Sequence, residues 1–450
     1  MSKPQVIDDQ EHERIHERVA AADVAEDSGV ACTRTPHPSR PGARQGRIWT
    51  VKARMGAVRA LGRQLARDGI ELVTPEPASD YRRIWFFVLE ACGLAVQLVN
   101  AARARDVPGR PKTGRPDARW LARLTEMGLL RASFVPPEQI RDPRDRTRAR
   151  TRLVQERARC FQRLEKLLEG ALVKLSPVAS RLTTVPAQDM IKAMIAGQRD
   201  PQVLAGLART QVKARHDDLA AAPGGMVDDH HGGLAALLPD QIAFLDGKIT
   251  QLTTRIGESA AAIPAARGIT AGGTAGPGAG PAPDAAALPA AGRLAQIPGI
   301  SPALARTIIA GTGLDMTRFP AAGHLASRTG GLCPSARQSG PRTRAGKKGQ
   351  GGTWLRGAPG QAAVAAARTR TFPGERYSRI ARRRGTAKAQ AAVARSILVI
   401  IWHLLSDPAA RYTDLGPGYY AARTDTNRNI RNHIRQIQAL GSEVTITKAP

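Results

Sequence analysis

The chain has 450 residues, 67 of them basic and 38 acidic, and a formal net charge of +29. So large an excess argues against an enzyme of small metabolites, to which self-repulsion is only a cost, and points to nucleic acid, where each neutralised phosphate releases counterions. The length allows roughly two to four domains of about 100–200 residues; the 42% apolar share suffices for packed cores, and the 4% aromatic share argues against base stacking as the main binding mode.

Residues 1–20 are polar and are read as loose or marginally helical. From 21 to 107, short β-type runs (VACTR, RIWTV, IELVTPE, LAVQLVN) alternate with helical runs at about 55–68 and 80–92. Such alternation predicts an α/β domain with at least part of its sheet parallel. Glu76 closes IELVTPE and Asp117 opens a helix after AVQLVN, so both fall at strand-end positions, where sites gather in open α/β sheets.

One long helix is expected over 138–176, with Val154, Phe161, Leu168 and Leu175 recurring every seventh residue. A second, near 237–257, carries Ile242, Leu245, Ile249, Leu252 and Ile256. That seam suits a coiled coil or a helical hairpin, and equally the core face of a helical domain; a coiled-coil arm for self-association is the reading favoured. Residues 259–292 are Ala, Gly and Pro with almost no charge, a linker that cannot bury a core. A compact, mostly helical region follows to about 406, then a basic tail with a helix near 425–440 and a final strand, VTITK. The expected divisions are therefore 20–137, 138–258, 259–292, 293–406 and 407–450.

The longest apolar run, SILVIIWHLL, is about half the roughly 20 residues that a membrane helix needs. The polar N-terminus lacks the apolar segment of a secretory signal, and the four cysteines form no C-x-x-C pair. The chain reads as cytoplasmic.

Four motifs stand out. HERIH at 12–16 fits the H-E-x-x-H pattern but lies in a charged segment without an apolar face, so it is rejected as a zinc site. DDHH at 228–231 is read as a solvated loop. LAQIPGISPALARTIIAGTG, from 294, resembles a helix-hairpin-helix element: Gly299 lets the chain turn so that amide N–H groups and the next helix's N-terminus face a phosphate, the alternative being a packing turn with no ligand. RQSGPRTRAGKKGQGG, 337–352, is a basic Gly-rich stretch around Ser339, read as a flexible phosphate-contacting loop and not a P-loop. Its cations Arg337, Arg342, Arg344, Lys347 and Lys348, with Arg110, Lys112 and Arg115 of VPGRPKTGRPDARWLA, are the candidate nucleic-acid contacts.

Longer peptides carry a more specific likeness. AADVAEDSGVAC, TPEPASDYRRIWFFVLEACGLAVQLVNA and PGRPKTGRPDARWLARLTEMGLLRASFVPP resemble three acid-bearing segments of the IS110-type insertion-sequence transposase family, and IPGISPALARTIIAGTGLDMTRFPAAGHLAS through GLCPSARQSG to WLR resembles its C-terminal domain. The resemblance implies an RNase H-like (RuvC-like) N-terminal domain whose acids, here Asp23, Glu76 and Asp117, hold Mg²⁺. It also implies a C-terminal transposase domain whose serine, Ser339, attacks DNA. A structured guide RNA encoded by the element and a homo-oligomer assembled through the helical arm are the implied partners, with DNA, for a protein acting on the nucleoid. The family pattern has an Asp-x-x-Asp in the third segment. Asp117 matches the second acid, and Gly114 stands at the first. Glu26 stands where a lysine is common, Pro359 lies inside an expected helix, and the linker is long. Two expectations follow: an active transposase with three acids, or a catalytically impaired relic that still binds nucleic acid.

Overall fold

The computed structural model describes residues 5–7, 15–76, 81–99, 117–130, 132–173, 182–207, 229–263, 266, 288–332, 336–345, 353–423 and 426–445. They divide into two compact units, Met1–Pro136 and Pro137–Pro450.

The first unit is built on strands β1 (Gln5–Ile7), β2 (Val19–Val24), β3 (Ser28–Pro36), β4 (Arg44–Lys52) and β5 (Leu72–Glu76), in the order β1-β4-β3-β2-β5. The pairs β1–β4, β4–β3 and β3–β2 are antiparallel, and β2–β5 is parallel. Helix α1 (Met55–Arg67) makes the crossover from β4 to β5, which a parallel partner requires. Helix α2 (Arg82–Glu90) follows β5, then the two-residue strand β6 (Leu98–Val99), helix α3 (Asp117–Glu126) and strand β7 (Ala132–Ser133), which pairs with β6. Two expectations are corrected here. Residues 5–7 form a strand rather than loose or helical chain, because they pair with β4. LAVQLVN is only partly a strand: its first half touches β5 through a single parallel bridge, Val73 to Val96.

Strand β2, VAAADV, is almost uniformly apolar because both of its faces are covered. Ala20, Ala22 and Val24 pack with Val58, Leu61 and Leu65 of α1 and with Trp85 and Leu89 of α2. Ala21, on the opposite face, packs with Cys32, Ala118, Leu121 and Ala122 under α3. Alanines on the strand let the helices approach closely.

In the second unit, helix α4 (Glu138–Gly170) is followed by α5 (Val185–Ile195), α6 (Pro201–Gly206) and α7 (Asp229–Ala262). Helices α4 and α7 form an antiparallel hairpin: Ser259 bonds Asp142, Arg150 bonds Thr253 and Arg157 pairs with Asp246. The predicted seam is buried inside this one chain, with Ile242, Leu245, Ile249 and Ile256 each under 9% exposed. Ile242 and Leu245 share one core with Phe161, Leu164 and Leu168 of α4 and with Met190 of α5 and Leu204 of α6, so within this chain the seam serves as a core face. Helix α7 also begins at Asp229, which places His230 and His231 in a helix, not in a loop. It runs to Ala262, so the expected linker starts later than 259. Ile263 and Ala266 are buried against Ile140.

Helices α8 (Ala290–Ala295), α9 (Pro302–Thr312) and α10 (Ala322–Arg328) precede a hairpin of strands β8 (Ala336–Ser339) and β9 (Arg342–Ala345). Then come α11 (Thr353–Ala366), α12 (Phe372–Arg384), α13 (Thr386–Ser406), α14 (Tyr419–Ala422) and α15 (Thr426–Ala439). Pro359 lies inside α11 without ending it. Helix α13 is long and apolar enough to cross a membrane, but it is the core of this region: Val393, Ala394, Ile397, Leu398 and Ile401 are fully buried, against α8, α10, α11 and α12. Residues 442–445 form no strand, and the rest of VTITK lies outside the described residues.

Candidate active site

Asp23 and Glu76 are register partners at the carboxyl ends of the parallel pair β2–β5. Adjacent strands lie about 4.8 Å apart, and residues directly opposite share a sheet face. Asp23 therefore shares the face of Ala21, two residues earlier, and Glu76 shares that of Thr74. This face is the one that α3 covers. Thr125 of α3 donates to the Thr74 hydroxyl at 2.9 Å, which fixes the helix's C-terminal end at the level of Ala21 and Thr74. Asp117 lies eight residues back along α3, about 12 Å by helical rise. Glu126, at the other end of α3, pairs with Arg34, the register partner of Val19 at the start of β2, so Asp117 lies toward the acid end of the sheet.

Among the described residues, no three His, Cys, Asp or Glu side chains gather closely enough to hold one ion. The structure pairs Asp23 with Glu76 and sets Asp117, half-buried, at the start of α3. Two more acids stand near the same end, in the turn after β2. The Tyr81 phenol donates to Glu26, and this bond, with the charges of Glu26 and Asp27, pushes the phenol's pKa upward. Sequence reading noted Glu26 only as a departure from the family pattern.

The opposite end of α3 is held by a buried ion cluster. The Arg34 Nε donates to Glu126 at 2.8 Å, and Arg44 pairs with Glu126 and, at 3.2 Å, with Glu17. Arg34, Arg44 and Glu126 are all under 5% exposed. A carboxylate between two guanidiniums is stable in the interior only as a set. Burial pushes the Cys32 thiol up to about 11, with Arg119 and Arg34 pulling it back.

Ser339 ends β8 at a two-residue hairpin, with Ser339 opposite Arg342. Gly340 has φ +59°, the first central position of a type II′ turn, and Pro341 fixes the second. For residues 336–345 the structure replaces the flexible loop read from composition with an ordered hairpin carrying Arg337, Arg342 and Arg344. Lys347 and Lys348, like Arg110, Lys112, Gly114 and Arg115, lie outside the described residues.

Gly299 adopts φ +89° in the turn between α8 and α9, and a Cβ there would stand 2.3 Å from the Ala362 carbonyl oxygen of α11. The structure gives this glycine the packing reason that the sequence left open beside the phosphate-binding one. Sequence reading missed the arginines of α12. Arg382, Arg383 and Arg384 end that helix, Arg379 lies 4.0 Å over the Tyr420 ring, and Arg376 donates to the Tyr420 hydroxyl. The signal was present as RRR in the sequence.

Comparison with protein families decides the lineage. Residues 20–173 match a transposase family of the DEDD IS110 type, and residues 291–379 match the transposase IS116/IS110/IS902 family. The chain belongs to the IS110 family of transposases. No curated protein matches it. The first IS110 match contains Asp23, Glu76 and Asp117; the second contains Gly299, Ser339 and the start of α12.

Proposed function

We propose that this IS110-type transposase cuts and rejoins DNA with Ser339 as nucleophile and with Asp23, Glu76 and Asp117 holding Mg²⁺ in a RuvC-like domain. The register pairing of Asp23 with Glu76 at the ends of parallel strands is the observation that carries the reading. The strand order, three antiparallel strands and then a parallel one beside the first, supports the RuvC-like assignment. The donor set fits a hard divalent ion, because it consists of carboxylates alone, the oxygen ligands that such an ion prefers. When bound, that ion supplies a Lewis acid for a phosphoryl oxygen.

The rest falls to the chain. Ser339 Oγ forms a bond to phosphorus as the scissile P–O bond breaks; the serine gives up its proton and the leaving hydroxyl takes one. The phosphoserine link conserves the bond for religation, when a DNA hydroxyl attacks phosphorus and Ser339 is released. The hairpin register sets Ser339 opposite Arg342, and arginine is a residue suited to a flanking phosphate. The net charge of +29 supports a second polyanion, a guide RNA encoded by the element. Assembly of several protomers would bring the acids of one subunit to the serine of another, by a surface other than the buried seam.

A second reading, a catalytically impaired relic that binds nucleic acid, is favoured by Gly114 at an expected acid position and by the absence of a three-acid cluster among the described residues. Incubation with Mg²⁺, element-end DNA and the element's RNA separates the two. A denaturation-resistant protein–DNA adduct that Ser339→Ala abolishes supports the active enzyme. An adduct only in Gly114→Asp supports the relic.

A further inference from the structure

A cavity of about 470 Å³ opens between α4, α9, α10 and α11 in the second unit. Its lining carries four arginines, Arg144, Arg148 and Arg150 from α4 and Arg328 from α10, with Trp354 and Ser301. None of the described lining residues is acidic. Arg144 and Arg148 are four residues apart, a spacing at which like charges on a helix repel. Arg328 arrives from a separate element and joins the same group. Burial first, and then Arg144 and Arg148, press its pKa down; burial and Arg148 press down that of Arg144, against a smaller opposing effect of Asp145.

The side chains are held in place. Arg148 and Arg152 lie 5.8 and 5.6 Å from the Trp354 ring centroid, and Arg328 lies 5.8 Å from that of Phe319. Arg150 donates to the Thr253 hydroxyl at 2.7 Å. Ser301 caps α9, accepting the Leu304 amide, so the positive end of an eleven-residue helix adds to the same rim. Concentrated, preorganised guanidiniums are the chemistry that takes a phosphate by paired N–H donors. The volume is in the range that accepts a nucleotide-sized group.

We propose that this cavity seats a backbone phosphate of bound nucleic acid, gripped by Arg144, Arg148 and Arg328, with Trp354 as the apolar wall for the adjoining sugar or base. The proposal rests on the transposase reading for the source of the phosphate, and the cavity is separate from Asp23, Glu76 and Ser339.

Inorganic pyrophosphate added to the full chain tests it. The wild type is expected to give a saturable change in tryptophan fluorescence and a rise in melting temperature. Trp354→Phe should lose the fluorescence change and keep the rise. Arg144→Gln/Arg328→Gln should bind pyrophosphate at least about tenfold more weakly, and Arg148→Lys, which keeps the charge but not the fork, should fall between. Competition by duplex DNA and by duplex RNA of equal length then identifies the source, the better competitor being the strand seated there. No response in the wild type, or an equal response in the double variant with its circular dichroism unchanged, overturns the proposal. Filter binding of the same DNA and RNA keeps the two failures apart: a chain that binds neither contradicts the transposase reading itself, whereas one that binds nucleic acid without a pyrophosphate response contradicts only the cavity.

Discussion

Asp23 and Glu76 stand directly opposite each other at the ends of two parallel strands, although 53 positions separate them in the sequence. The pairing follows from the crossover through α1, which returns β5 beside β2 in the same direction. Everything that keeps β2 and β5 in register therefore keeps the two carboxylates together.

Gly29 is one such residue. A Cβ at this position would stand 2.6 and 2.8 Å from two ring carbons of the fully buried Trp85 and 3.0 Å from the Asp23 carbonyl. Gly29→Ala should destabilise the first unit by about 1–3 kcal/mol, as overpacking does. Chemical denaturation measures this; an unchanged midpoint would mean that Trp85 yields freely.

Glu126 is the second. Removing it leaves Arg34 and Arg44 buried beside each other without their shared carboxylate. Glu126→Ala should cost about 3–5 kcal/mol. Arg34→Met/Arg44→Met/Glu126→Leu should recover most of it, because the desolvation penalty goes with the charges. Urea melts of both variants check the pair of results.

The hairpin seam makes a contrast within one helix. Ile249 is 7% exposed and Phe244 is 62% exposed on α7. Ile249→Ala should cost about 2–5 kcal/mol, whereas Phe244→Ala should stay within about 0.5 kcal/mol. Light scattering should give Ile249→Ala the same oligomer mass as the wild type wherever it remains folded, since the seam closes within one chain.

Gly299→Ala puts a Cβ into the backbone of α11 at a positive φ, so the second unit should lose about 3 kcal/mol or more. Nucleic-acid affinity of the fraction that stays folded should be nearly unchanged if packing is this residue's work. A large loss of affinity with stability intact would restore the phosphate-binding role.

Much of this was legible in the sequence, for physical reasons. The runs around β3, β4 and β5 have β-branched residues between turn signals, and α1 and α2 have clear helical period. The seam of α7 was visible residue by residue; its partner was not, because a 3-4 spacing does not say whether the covering helix belongs to the same chain. The β8–β9 hairpin was missed because Arg and Gly in a short stretch resemble loop composition, although Gly-Pro after Ser339 is a turn signal. Asp23 and Glu76 could each be placed at a strand end, but their register is fixed by non-local pairing. The arginine cavity is the least legible feature: Arg328 is 184 positions from Arg144, and only the helix packing joins them.

Binding of Mn²⁺, followed calorimetrically in the wild type, Asp23→Asn and Glu76→Gln, most directly tests whether the paired carboxylates hold the catalytic cation. The wild type should take up Mn²⁺ in competition with Mg²⁺, and each variant should lose about a hundredfold in affinity while keeping its circular dichroism. Equal uptake by all three proteins would contradict the account and leave Asp23 and Glu76 as a pair of acids without an ion to share.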